Sequence, residues 1–190
     1  MKEPWKKYLL IALIVVLTLV VTATILRPRA YGIPIENQVY RLPKALLKSY
    51  DTRSLEKIEQ VIIHHSATES GSPESYALYH IHNNGWPGIG YHYVISKAGK
   101  IVQTQFLKTV SYHTSGQNTR SVGICLTGNY DAQDPPAAQV GACVKLIKHL
   151  EDELGRKLAI AGHNEYSTKS CPGSKVNVNQ IEQMVRNFTA

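Results

Sequence analysis

Residues 8–26 read YLLIALIVVLTLVVTATIL, nineteen positions without a charge, close to the ~20 residues a helix needs to cross bilayer hydrocarbon. From residue 57 onward the pattern changes to short apolar runs divided by polar turns. Strands are predicted over 60–65, 91–96, 101–105, 121–127 and 158–161, with the Lys97-Ala98-Gly99 turn joining the second to the third. Helical spacing takes over between them. One helix is predicted over 72–83, opened by Ser72-Pro73. A long one runs from Pro135-Pro136 to Leu154, with Val140, Cys143, Val144, Ile147 and Leu154 along one stripe and Gly155 at its stop. Ile181, Met184, Val185 and Phe188 mark a last amphipathic helix. Alternating strands and helices predict an α/β domain, a mixed central sheet flanked by helices and preceded by one N-terminal transmembrane helix. The chain divides into a cytoplasmic tail at 1–7, an anchor or signal segment at 8–26, a linker at 27–56 carrying Pro28, Pro34 and Pro43, and one domain at 57–190.

Two readings of the apolar segment compete. Its first part has the length of a signal-peptide core, and Val21-Thr22-Ala23 offers a small-residue cleavage site. The run continues past Ala23 to Leu26 before Arg27-Pro28-Arg29, which favours an uncleaved anchor. Lysines at 2, 6 and 7 precede it, while Arg27, Arg29, Arg41 and Lys44 follow, so charge bias does not orient it. The same flanks explain most of the net charge of +7: Lys2, Lys6, Lys7, Arg27 and Arg29 against Glu3 leave only +3 for the rest. Without a run of Lys and Arg interleaved with aromatics, nucleic acid is not expected as a partner. Of the three cysteines, Cys125 and Cys143 read first as core thiols, with a disulfide between them as the alternative.

Chemistry concentrates at His64, His163 and Cys171, in the segments IIHHSAT and AGHNEYSTKSCPG. Two imidazoles and one thiolate make a three-ligand zinc site, and three protein ligands leave a fourth position open, as catalytic sites do. A lone His at a strand end is more often a hydrogen-bonded core or surface residue, so the spacing alone is weak. Strand alternation turns His92 away from the site and removes His65 from direct ligation. His80 and His82 read as helix-surface residues, and Asn164 and Glu165 flank His163, where they can orient it. His113, in a loop with Gly116 and Asn118, suits substrate contact or a hydrogen bond near the metal, and His113 and Asn118 are taken as substrate-binding candidates.

Four blocks carry a family resemblance: VIIHHSAT at 61–68, GWPGIGYHYVI at 85–95, SYHTSGQNTRSVGICLTGNYD at 111–131 and AGHNEYSTKSCPG at 161–173. In order and separation they resemble the type 2 zinc-dependent N-acetylmuramoyl-L-alanine amidases, whose fold is shared by phage amidases and peptidoglycan recognition proteins. The resemblance covers roughly residues 57–188. It implies Zn²⁺ ligation by His64, His163 and Cys171, with Tyr91 and Lys169 as the polar catalytic pair. Relatives that only bind peptidoglycan typically lack the cysteine, so Cys171 points to an enzyme.

The expected function is zinc-dependent hydrolysis of the amide joining N-acetylmuramic acid to L-alanine in peptidoglycan. A non-catalytic peptidoglycan-binding module and a phage-type lytic amidase are the alternatives. The expected partners are the wall polymer or muropeptide and, through the N-terminal helix, the membrane; the domain is expected to act as a monomer. A wall substrate requires the domain to lie outside the cytoplasm, as a single-pass membrane protein or, after signal cleavage, as a secreted or periplasmic one.

Overall fold

The computed structural model describes residues 32–188. Its centre is a six-stranded sheet built outward from β2 (Gln60–His65), which is buried at every position, as a strand covered on both faces must be. β2 pairs in parallel with β5 (Ser121–Leu126) on one side and β6 (Ala159–Gly162) on the other. Beyond β5, β3 (Tyr93–Ile95) lies parallel to it and turns back antiparallel into β4 (Ile101–Gln103), and β1 (Ile35–Asn37) adds in parallel at the edge. The order is β1-β4-β3-β5-β2-β6.

Parallel neighbours cannot be joined by a hairpin, so helices make the crossovers. α1 (Pro73–Asn84) links β2 to β3. Ser72 caps it by accepting from the Ser75 N–H, and Gly85 ends it at φ 67, a left-handed conformation that costs glycine little. α2 (Ala137–Leu154) carries the chain from β5 to β6 and stops at Gly155, also at φ 67. α3 (Val178–Arg186) follows, capped by the Asn177 side chain.

Side-chain alternation divides the core between the two faces of the sheet. Val61, Ile63, Val122, Ile124 and Leu126 join Cys143, Leu146, Ile147 and Leu150 of α2 and Ile181 and Val185 of α3. On the other face Val94 and Cys125 meet Tyr76 and Ala77 of α1, with Leu42 and Ile89. This split keeps Cys125 and Cys143 on opposite sides of the sheet, and all three cysteines are free.

The stretch before residue 57, expected as an extended spacer, belongs to the domain from residue 33 on. Its three-residue strand β1 sits at the sheet edge, between Pro34 and the turn leading to Pro43, so neither proline interrupts a ladder. Val39 and Leu42 are buried, and the buried guanidinium of Arg53 donates to the carbonyls of Leu107, Asn118, Thr119 and Ser121. The uncharged run at 8–26 lies outside the described residues. Among the described residues no helix is long and apolar enough to cross a membrane.

Glu151 at the end of α2 ties three elements together. Its Oε1 accepts from the Leu158 N–H at 3.0 Å and from Arg186 of α3 at 2.7 Å, and its Oε2 accepts from Lys157 at 3.1 Å. Burial works against its charge, but these partners outweigh burial and hold the carboxyl below its ordinary value. A depressed native pKa stabilises the fold above the unfolded value, and that stabilisation is lost as pH falls through the native value. Glu151→Gln is therefore expected to cost about 2 kcal/mol at pH 7 in denaturant titrations. The gap from wild type should begin to narrow below about pH 4, where the unfolded chain's carboxylate takes up its proton, and close further as pH falls through the lower native value.

Candidate active site

The parallel register of β2 and β6 sets the site. Ile63 pairs with Gly162, so the next residues, His64 and His163, emerge side by side at the same end of the sheet, with ring centroids 4.6 Å apart. Cys171 arrives from the loop after β6. That loop is held by the Asn164 N–H on the Cys171 carbonyl at 2.6 Å and by the Asp131 carboxylate, which accepts from the Ser170 hydroxyl at 2.7 Å and the Ser174 N–H at 2.8 Å. Before the turn, the Glu165 carboxylate accepts from the Gly162 N–H at 2.7 Å and braces the step into His163. The Cys171 Sγ comes to rest 3.6 Å from His64 Nδ1, and one donor atom from each of the three residues lies within 4.8 Å of the others. Ligands at ~2.1 Å (nitrogen) and ~2.3 Å (sulfur) subtending a tetrahedral angle sit about 3.6 Å apart, so this donor set fits one zinc ion.

Burial decides the protonation of these groups. It depresses the pKa of His64 well below the ordinary imidazole value, helped by His113 and His163, and lowers that of His163, helped by Lys169. Both imidazoles therefore offer lone pairs at neutral pH. Burial pushes the Cys171 thiol up to about 11, so taking a metal requires it to release a proton.

A cleft of about 520 Å³ opens over these three residues, and Tyr91 and Lys169 also line it. The Tyr91 ring lies 5.3 Å from that of His64. Burial, with Cys125 and Cys171 nearby, raises the phenol pKa well above its usual value, so the hydroxyl stays protonated and can donate. Lys169 is exposed, two residues before Cys171 on the same anchored loop.

The remaining candidates divide. His113 lines the cleft but is buried, its Nδ1 3.1 Å from His64 Nε2. Asn118 uses its side-chain oxygen to accept from the backbone N–H groups of His113 at 3.0 Å and Thr114 at 2.8 Å. His65 Nδ1 accepts from the Tyr130 N–H, and His92 Nδ1 accepts from the Gly123 N–H in the interior. His82 is exposed, as expected of a helix surface, but His80 is not: it is buried, accepts from the Gly90 N–H at 3.1 Å and lines the cleft. No hydrophobic stripe marks this, because α1 is polar on most sides and its inward positions carry Tyr76, Ala77 and His80. The aromatic wall was also unforeseen. Gly85 turns the chain so that the Trp86 N–H donates to the His80 carbonyl, stacking Trp86 on His80 at 4.8 Å and setting it 6.0 Å from Tyr112. Trp86 follows directly on the glycine that ends the helix, a signal that could have placed it.

Three comparisons agree with this geometry. An endolysin of Klebsiella phage KP32 is 29% identical over 125 residues, covering 62% of this chain and 82% of the endolysin. Peptidoglycan-recognition protein SC2 of Drosophila simulans is 26% identical over 132 residues, covering 63% and 70%. Among solved structures, the endolysin amidase LysCS of Clostridium intestinale superposes with a TM-score of 0.70 at 22% identity, covering 83% of this chain and 98% of that one; at that identity the likeness speaks for the fold. The family model described as N-acetylmuramoyl-L-alanine amidase matches residues 54–174, well over half of the chain and a range that contains His64, Tyr91, His163, Lys169 and Cys171, and the chain belongs to this type 2 amidase family.

Proposed function

We propose that this chain is a zinc-dependent amidase that cleaves the bond between N-acetylmuramic acid and L-alanine in peptidoglycan. The observation that carries the reading is the approach of Cys171 Sγ to His64 Nδ1 at 3.6 Å beside His163, inside a cleft that also holds Tyr91 and Lys169. The family's name specifies the N-acetylmuramoyl-L-alanine bond, and the recognition-protein relatives are named for peptidoglycan. When bound, zinc would lower the pKa of a water toward about 7 and polarise the scissile carbonyl. His64, His163 and Cys171 would hold it and leave one position open. Tyr91, protonated and a donor, would orient the carbonyl oxygen, and the Lys169 ammonium at the rim would stabilise the negative charge that develops there. The aromatic wall of Trp86 and Tyr112 would receive the muropeptide and exclude water from one side.

The rival reading is binding without hydrolysis, favoured by the recognition-protein relatives. Cys171 separates the two. In Cys171→Ser a weakly donating hydroxyl replaces the thiolate, so the full chain in detergent micelles should lose most of its zinc by elemental analysis. It should also release almost no stem peptide from purified peptidoglycan. Wild-type release by this variant, or by the wild type in excess chelator, would overturn the zinc amidase.

Tyr91→Phe and Lys169→Ala act differently, since neither removes a ligand. Each is expected to retain zinc and to lower kcat/KM by about 10²-fold if it stabilises the transition state. Zinc content at the wild-type level is the control, and normal turnover in both variants would remove their assigned roles.

The uncharged run at 8–26 supports a retained span, because as a helix at ~1.5 Å per residue it would reach about 28 Å, nearly the hydrocarbon thickness, and the proposed wall substrate requires the domain outside the cytoplasm. Removing residues 1–30 should leave the domain active and release it from the membrane fraction. A mature protein beginning at Thr24 would instead establish cleavage after Ala23 and an exported soluble enzyme.

A further inference from the structure

We infer that His113 and Ser121 are positioning residues: they lock His64 in the tautomer that carries its proton on Nε2 and leaves Nδ1 bare for a metal. The inference rests on the metal-site reading above, but the hydrogen positions follow from distances within this chain. The Ser121 hydroxyl lies 2.6 Å from the Gln117 carbonyl oxygen, which can only accept, so the hydroxyl proton is spent there. Ser121 Oγ is also 3.2 Å from His113 Nε2, and with its own proton committed it must accept; His113 Nε2 is the donor. His113 is buried and its ring meets the Ser121 and Thr114 hydroxyls and His64 but no carboxylate, so the ring carries a single proton, the one on Nε2, and its Nδ1 presents a lone pair. That lone pair faces His64 Nε2 at 3.1 Å and the Thr114 hydroxyl at 3.1 Å. Two bare imidazole nitrogens at such a distance would repel, so His64 Nε2 carries the proton. His64 is buried as well, and the nitrogen left bare, Nδ1, is the atom 3.6 Å from Cys171 Sγ.

The surroundings are built to hold this arrangement. His113 is buried with its backbone fixed by the Asn118 side chain. Its ring lies over Gly123 in β5, where a Cβ would come within 2.6 Å of it, so no larger residue fits beneath. The hydrogen-bond chain ends on the Gln117 carbonyl, which has no proton to pass on. It orients His64 and does not conduct protons. A histidine that ligates a metal through one nitrogen is usually aimed by the hydrogen bond its other nitrogen donates, and here another histidine serves as acceptor.

The test reads ring nitrogens directly. In the metal-free full chain, ¹⁵N-labelled and held in detergent micelles, NMR should find the proton of His64 on Nε2 and that of His113 on Nε2. His113→Leu removes the acceptor; His64 should then sample both tautomers, and zinc affinity from chelator competition should fall by about 10- to 100-fold. His113→Asn places an amide oxygen near the lost Nδ1 and should recover most of that affinity, which a packing role would not allow. A wild-type His64 protonated on Nδ1 would overturn the inference, as would equal losses in the Leu and Asn variants. A wild type that binds no zinc would refute the amidase reading, and the ring-nitrogen spectrum would still decide this one, even if the Leu variant does not fold.

Discussion

The site depends above all on the parallel pairing of β2 with β6, two strands about one hundred residues apart in the chain. A register in which Ile63 meets Gly162 makes His64 and His163 neighbours, whereas a slip of one residue would turn one of them to the opposite face of the sheet. Much of the fold serves that register. α2 supplies the crossover between β5 and β6, and its stripe of Cys143, Leu146, Ile147 and Leu150 packs on the Val61 and Ile63 face of β2. Glu151 then fixes where β6 begins through the Leu158 N–H. A Cβ at Gly162 would press on the Asn164 side chain and on Pro172 at the turn that delivers His163 and Cys171.

Placing imidazoles and a thiol in the interior costs desolvation unless their hydrogen-bonding groups are met. Here the demand is met by layers of polar contacts. Asp131 holds the Cys171 loop through Ser170 and Ser174, and Asn118 holds the His113 backbone. Arg53 gathers the carbonyls of Leu107, Asn118, Thr119 and Ser121 and so fixes the loop from which His113 projects. Arg53 belongs to the segment that reads as a linker in the sequence. A stretch with no catalytic residue of its own therefore shapes the site from behind.

The strands and helices were legible because their signals are local. Ser72-Pro73 and Gly85 bound α1, Gly155 ends α2, and the runs 60–65 and 121–126 are apolar enough to be central strands. His64, His163 and Cys171 were legible as a candidate ligand set through the motif blocks around them, since their spacing alone is a weak signal, and the fold brings the three together. Residues 33–56 misled because a three-residue edge strand flanked by prolines carries too little pattern to tell it from a spacer. His80 misled because a largely polar helix does not advertise its buried side. The pairing of His113 with His64 was out of reach for another reason: it depends on Gly123 leaving space under the ring and on Ser121 spending its proton on Gln117, and neither is a property of any sequence window.

These contacts bear on the choice between hydrolysis and recognition. A groove that only binds muropeptide gains nothing from a buried thiol held against an imidazole, nor from a second imidazole placed to aim the first. Both features withdraw polar groups from solvent, at a cost in stability. They make sense together if His64 must present one nitrogen, in one protonation state, to an ion shared with His163 and Cys171. With Tyr91 kept protonated by burial and Lys169 exposed at the rim, the cleft sets two hydrogen-bond donors beside the His64, His163 and Cys171 cluster, where a developing negative charge would meet them.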